Sequence, residues 1–189
     1  MKRYLILTIL FCIIINLNSL LKAEVLEYGF KEYGLFSGFF KSSLQEKKDL
    51  EEVPVFFHLG FDLRPIFKNK SSVLFEFLFE PFSSVITQPN YDLKTGCNFL
   101  LKCGFPFTVK LYPYLEAGVG FVYFTLQTRE QATQFNFSQT VGVGISYFFK
   151  KNLNLHLSWR FSHLSNASIK KPNRGIESKG VILGLSVFY

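Results

Sequence analysis

Cysteine is scarce in this chain, with three copies in 189 residues. Cys12 sits in an apolar N-terminal run, which leaves Cys97 and Cys103 for the fold. Neither zinc-type nor redox spacing is present. His58, His156 and His163 likewise have no metal-ligand spacing, so no metal and no cofactor are expected. On one strand Cys97 and Cys103 would stand ~20 Å apart, at ~3.3 Å per residue. That is too far for a disulfide without an intervening turn. They read as two small apolar residues on a wall. Long apolar runs are also missing: after Ala23 none approaches the roughly 20 residues of a spanning helix. Linkers, low-complexity stretches and long repeats are absent too, and the length fits one domain.

The N-terminus carries Met1-Lys2-Arg3, an apolar run from Tyr4 to Ile15, and Ala23 a little further on. This has the layout of a secretory signal, with cleavage expected after Ala23. Leu21, at the −3 position, is larger than the usual small residue. The alternative, a single membrane anchor, asks for a longer apolar run. Phe11 before Cys12 argues against lipoprotein processing. Residues 1–23 are therefore expected to be a signal peptide and 24–189 the folded domain. Lys2, Arg3 and Lys22 account for three of the formal +7 charges, leaving +4. A mildly basic exported chain points away from nucleic acid and towards an anionic membrane surface.

Phenylalanine, by contrast, is abundant, with 24 copies. It falls in eight alternating segments separated by polar turns. They lie near Glu27–Lys41, Val53–Leu63, Val73–Pro81, Gly96–Phe105, Lys110–Thr125, Gln134–Phe149, Leu153–Asn166 and Gly175–Tyr189. In the seventh, Leu153, Leu155, Leu157, Trp159 and Phe161 oppose Asn154, His156, Ser158, Arg160 and Ser162. The sixth and eighth set bulky apolar residues against Gly, Ser and Thr. The first and fourth are less clean. Eight strands lined inside by aromatics would overfill a narrow barrel. Gly, Ser and charges such as Glu76, Glu80, Glu116 and Arg160 would fit. The expected fold is thus all-β: an eight-stranded antiparallel transmembrane β-barrel, apolar face outward. A soluble lipocalin-like barrel is the alternative. The terminal Phe188-Tyr189 resembles the aromatic signal by which outer-membrane barrels are recognised for insertion. Eight strands leave no pore, because side chains fill the interior.

One constellation breaks the apolar outer face. If the seventh strand ends at the cell surface, His163 and Ser165 share the parity of Trp159 and Phe161 and face lipid. Glu177 shares the parity of Val181 and Leu183. Polar groups on a lipid face cost free energy. A hairpin centred on Lys170 would pair His163 with Glu177, and a one-residue slip would separate them. Ser165 is the candidate nucleophile, His163 the general base and Glu177 the group that orients the imidazole. The N–H of Asn166 and the side chain of Asn173 are candidate oxyanion donors. Lys170, Lys171 and Arg174 are candidates for binding head-group phosphates. The charge-rich stretch Ser42 to Glu52 reads as a solvated turn.

His163-x-Ser165-Asn166-Ala167, followed by Lys171-Pro172-Asn173-x-Gly175-Ile176-Glu177, resembles the signature of the outer-membrane lipid A 3-O-deacylases, the PagL-type family. The motif covers about the last 30 residues, and the rest of the chain matches in strand count and length only. The resemblance implies a serine esterase acting on lipid A of lipopolysaccharide, in the outer membrane of a Gram-negative bacterium. It assigns the triad to Ser165, His163 and Glu177 and an oxyanion role to Asn173. Expected partners are lipopolysaccharide and outer-membrane lipids, and a homodimer is left open. An outer-membrane phospholipase, a hydrolase acting at another lipid A position, and a structural or adhesive barrel without activity are the competing functions.

Overall fold

The computed structural model describes residues 30–44, 49–65 and 73–189. The expected signal peptide, residues 1–23, lies outside the described residues. Eight strands follow one another: β1 (Phe30–Ser43), β2 (Asp49–Asp62), β3 (Leu74–Gln88), β4 (Asp92–Gly104), β5 (Leu111–Phe124), β6 (Phe135–Lys150), β7 (Leu153–Ser165) and β8 (Ile176–Phe188). Each pairs antiparallel with its neighbours, and β8 closes on β1. Closure leaves no free edge to be satisfied in lipid. No helix among the described residues is long and apolar enough to cross a membrane.

Alternation sets the two faces. Leu155, Leu157 and Trp159 are exposed, while Asn154, His156, Ser158 and Arg160 are buried. The same holds for Val181, Leu183 and Leu185 on β8. An apolar wall around a polar interior is what a barrel in lipid requires and the reverse of what water would select.

Two segments differ from expectation. The third strand does not stop at Pro81 but runs on to Gln88. Pro-Phe-Ser-Ser reads as a break, yet Pro81 stays in the ladder opposite Cys97 of β4. Of the expected turn from Ser42 to Glu52, the described residues 42–43 and 49–52 are strand, with Ser43 paired to Asp49. There Lys41 Nζ lies 2.5 Å from Asp49 and 3.5 Å from Glu51.

The interior is layered. Towards the end where β1 begins, Lys102 Nζ bridges Glu32 (2.9 Å) and Glu76 (3.1 Å). At mid-height Arg160 grips two carboxylates. Nη1 and Nη2 donate to Glu80 at 2.5 and 3.0 Å, and Nε and Nη2 donate to Glu116 at 2.6 and 3.1 Å. Such forked pairs satisfy charges that would otherwise be costly to bury. The opposite half mixes an apolar cluster, Phe40, Phe56, Phe82, Ile86, Leu164 and Ile176, with buried polar groups, among them Lys94 Nζ on Glu52 at 2.6 Å and the Ser42–Ser178 hydroxyl pair at 2.6 Å. Small polar and paired charged residues therefore line the interior as expected, but in this half they share it with buried aromatic and aliphatic side chains. Gly180 and Gly184 of β8 make room for the rings of Phe40 and Phe36, which any side chain there would strike.

Candidate active site

The β7–β8 hairpin positions the candidate triad. Its register sets His163 directly opposite Glu177, between the pairs Ser162↔Ser178 and Leu164↔Ile176. Leu164 and Ile176 are buried in the apolar cluster. Period two then turns His163, Ser165 and Glu177 onto the outer wall, where Glu177 is exposed and the other two half-exposed. Directly opposed residues have Cβ atoms roughly 4.5–5.5 Å apart. Ser165, the last residue of β7, lies two positions beyond His163, about 6.5–7 Å along the strand. The three side chains are not hydrogen-bonded to one another.

The imidazole of His163 packs against Gly175. This glycine has φ +77°, a left-handed conformation that glycine adopts freely. A Cβ at this position would stand 2.5 Å from His163 Cε1 and 3.1 Å from Nε2. The ring thus lies against the backbone where β8 begins, and only glycine leaves it that space.

The connection from β7 to β8 is tied to the strand end by Asn166. Its Nδ2 donates to the carbonyl of Lys170 at 2.7 Å and lies 3.4 Å from that of Pro172. Its carbonyl accepts from Ile169 N–H at 3.0 Å. Ala167 and Ser168 take left-handed conformations, with φ of 50° and 63°. The N–H of Asn166, expected as an oxyanion donor, is already engaged: it donates to Asn173 Oδ1 at 2.9 Å. Because a backbone N–H only donates, the Asn173 atom facing it must be the oxygen. The Asn173 Nδ2 group is left with a long contact to Ser168 Oγ, 3.4 Å. Among the expected cations, Lys170, Lys171 and Arg174 are exposed on this connection.

The alternation pattern gave no sign of a second connection that reaches the site. Residues 130–132, between β5 and β6, lie against residues 172–174. Ala132 N–H donates to Pro172 O at 3.0 Å and Arg174 N–H to Glu130 O at 2.9 Å, with Gln131 bridged to Asn173. No group of three or more His, Cys, Asp or Glu side chains suited to a metal ion occurs among the described residues.

The family model described as lipid A 3-O-deacylase (PagL) matches residues 83–186, more than half of the chain and all of the residues above. Among solved structures, the outer membrane enzyme PagL is 16% identical, with a TM-score of 0.59 over 81% of this chain and 97% of that one. Neisserial surface protein A is 13% identical, with a TM-score of 0.61 over 84% of this chain and 97% of that one. No curated protein matches in sequence. At such identities the structural likenesses speak for the barrel, and the family match speaks for descent. The chain is thus a β-barrel of the outer membrane and a member of the lipid A 3-O-deacylase (PagL) family.

Proposed function

We propose that this chain is a serine esterase that hydrolyses the 3-O-linked acyl ester of lipid A in the outer leaflet. One observation carries the reading: the register that sets His163 opposite Glu177 on the lipid-facing wall, with Ser165 two residues on. The polar residues stand where a polar group is otherwise disfavoured, in a chain whose family is defined by lipid A deacylation.

Ser165 Oγ attacks the ester carbonyl while His163 takes its proton. The carbonyl oxygen becomes an oxyanion facing Asn173 Nδ2. Collapse breaks the bond to the sugar oxygen, which leaves as a hydroxyl with the proton from His163. A water, activated by the same imidazole, then attacks the acyl-serine, releasing the fatty acid and regenerating Ser165. Glu177 holds the imidazole in orientation and stabilises its charged form. Lys170, Lys171 and Arg174 offer cations to the sugar phosphates. The acyl chain lies along the apolar wall below Ser165, past Phe161 and Trp159, and need not leave the bilayer to react.

The test is mass spectrometry of lipid A from cells making this protein, beside a Ser165→Ala variant at equal outer-membrane abundance. Loss of one hydroxyacyl chain with the wild type alone is the expected result. The variant should lose on the order of 10⁴–10⁶ in kcat. Mapping the lost ester fixes the position. Unchanged lipid A in both strains would refute the assignment and direct attention to phospholipid substrates.

A further inference from the structure

We propose that the connection between β5 and β6 is a working part of this site, and that its residues 130–132 position Asn173. The inference rests on the esterase reading above for its catalytic meaning and on independent contacts for its geometry.

Asn173 belongs to a connection that is braced from two sides. Two of its residues, Ala167 and Ser168, are non-glycine residues in left-handed conformations. Such conformations persist when the surroundings over-determine them. Asn166 supplies one side of that constraint, and the β5–β6 connection supplies the other. The hydrogen bonds from Ala132 to Pro172 and from Arg174 to Glu130 bracket Asn173 on both sides. The bridge between them pairs Gln131 with Asn173 itself. Directly paired residues share a face of the ladder, so the Gln131 side chain stands beside that of Asn173. Glu130 and Gln131 are 4% and 5% exposed, which is unusual for polar residues in a surface connection.

The bracing segment is itself rooted in the barrel. Thr125 N–H donates to Leu93 O at 2.9 Å. Thr128 Oγ1 accepts from Gln131 N–H at 3.3 Å. Asn136 Nδ2 donates to the carbonyls of Thr133 and Gln134 at 3.0 and 3.2 Å. The path therefore runs from β4, β5 and β6, through residues 125–134, to the backbone on either side of Asn173, whose Oδ1 accepts from Asn166 N–H. None of these contacts involves His163 or Glu177, which are fixed by their own hairpin. Position of the oxyanion donor and position of the base are thus set by different parts of the barrel.

Ala132→Pro removes the N–H that bonds Pro172, and Ala132→Gly keeps it. Purified barrels would be compared for lipid A hydrolysis and for hydrogen exchange across residues 164–174, with heat-modifiable gel migration reporting closure of the barrel. The expected result for A132P is faster exchange at Asn166 and a kcat lowered about 10- to 100-fold. KM should stay within about threefold, and the pH dependence of kcat/KM should be unchanged. A132G should behave as wild type. If A132P fails to close, Thr128→Val, which removes the acceptor of Gln131 N–H, should give the same split at smaller amplitude. Unchanged exchange would refute the brace. Faster exchange with unchanged kcat would refute its catalytic meaning. A wild type inactive on lipid A would overturn the esterase reading and this positioning role with it, while the exchange data alone would still decide whether residues 130–132 hold the connection.

Discussion

Gly175→Ala adds one methyl group to the site and should nearly silence it. The new Cβ would sit 2.5 Å from His163 Cε1 and 3.1 Å from Nε2. Carbon atoms at rest stand about 3.5–4.0 Å apart, so the ring must move by about 1 Å. Glu177 is fixed opposite His163 by the ladder and Ser165 lies on the same strand, so neither follows the ring. A misplacement of about 1 Å between reacting groups costs roughly 10²-fold in rate. The barrel should survive, because Gly175 precedes β8 rather than lying within it. Holding alanine at φ +77° costs about 1–2 kcal/mol, an amount a closed barrel tolerates. The expectation is a kcat on lipid A about a hundredfold lower, with KM near that of the wild type. The assay is release of hydroxy fatty acid by the purified barrel in mixed micelles, normalised to the folded fraction. A variant within threefold of wild-type kcat would refute the claim that the imidazole needs the space Gly175 leaves it.

Asn173→Ala removes the proposed oxyanion donor and should lower kcat by about 10²–10³ in the same assay; an effect below threefold would move that role elsewhere. Arg160→Met leaves Glu80 and Glu116 facing each other in the interior and should destabilise the barrel by about 3–5 kcal/mol. Unfolding in urea can be followed by the fluorescence of Trp159, the single tryptophan of the chain. Adding Glu80→Gln and Glu116→Gln should restore most of the loss, and a cost below about 1 kcal/mol for R160M would refute the interior network as a stabilising unit.

The legible and illegible parts of this chain divide along physical lines. Strands β6, β7 and β8 alternate cleanly because lipid selects bulky residues on one face and a narrow interior selects small or paired ones on the other. Phe36 and Phe40 blur β1, since they point inward against an otherwise polar code. Their acceptance depends on Gly180 and Gly184, which stand across the closing seam and far along the sequence. Pro81 reads as a stop because proline lacks an N–H, but a ladder can spare one donor, and β3 continues. The pairing of His163 with Glu177 follows once the hairpin is centred on Lys170; spacing made that centre one of the available registers, and the ladder has it. That the Asn166 N–H is occupied by Asn173 depends on how the connection folds back, which no spacing encodes. The brace at residues 130–132 is bonded through backbone atoms, and backbone atoms leave little signature in residue type.

His163, Ser165 and Glu177 look outward from the wall, not into the lumen. A lipid that reaches them arrives by sliding within its own leaflet, in two dimensions, already upright and already at the correct depth. For the proposed deacylation, the quantity that governs encounter is then the fraction of leaflet area occupied by substrate, not its amount per volume of medium. Inert lipid slows such a reaction by dilution in the plane, even when nothing in the surrounding water has changed.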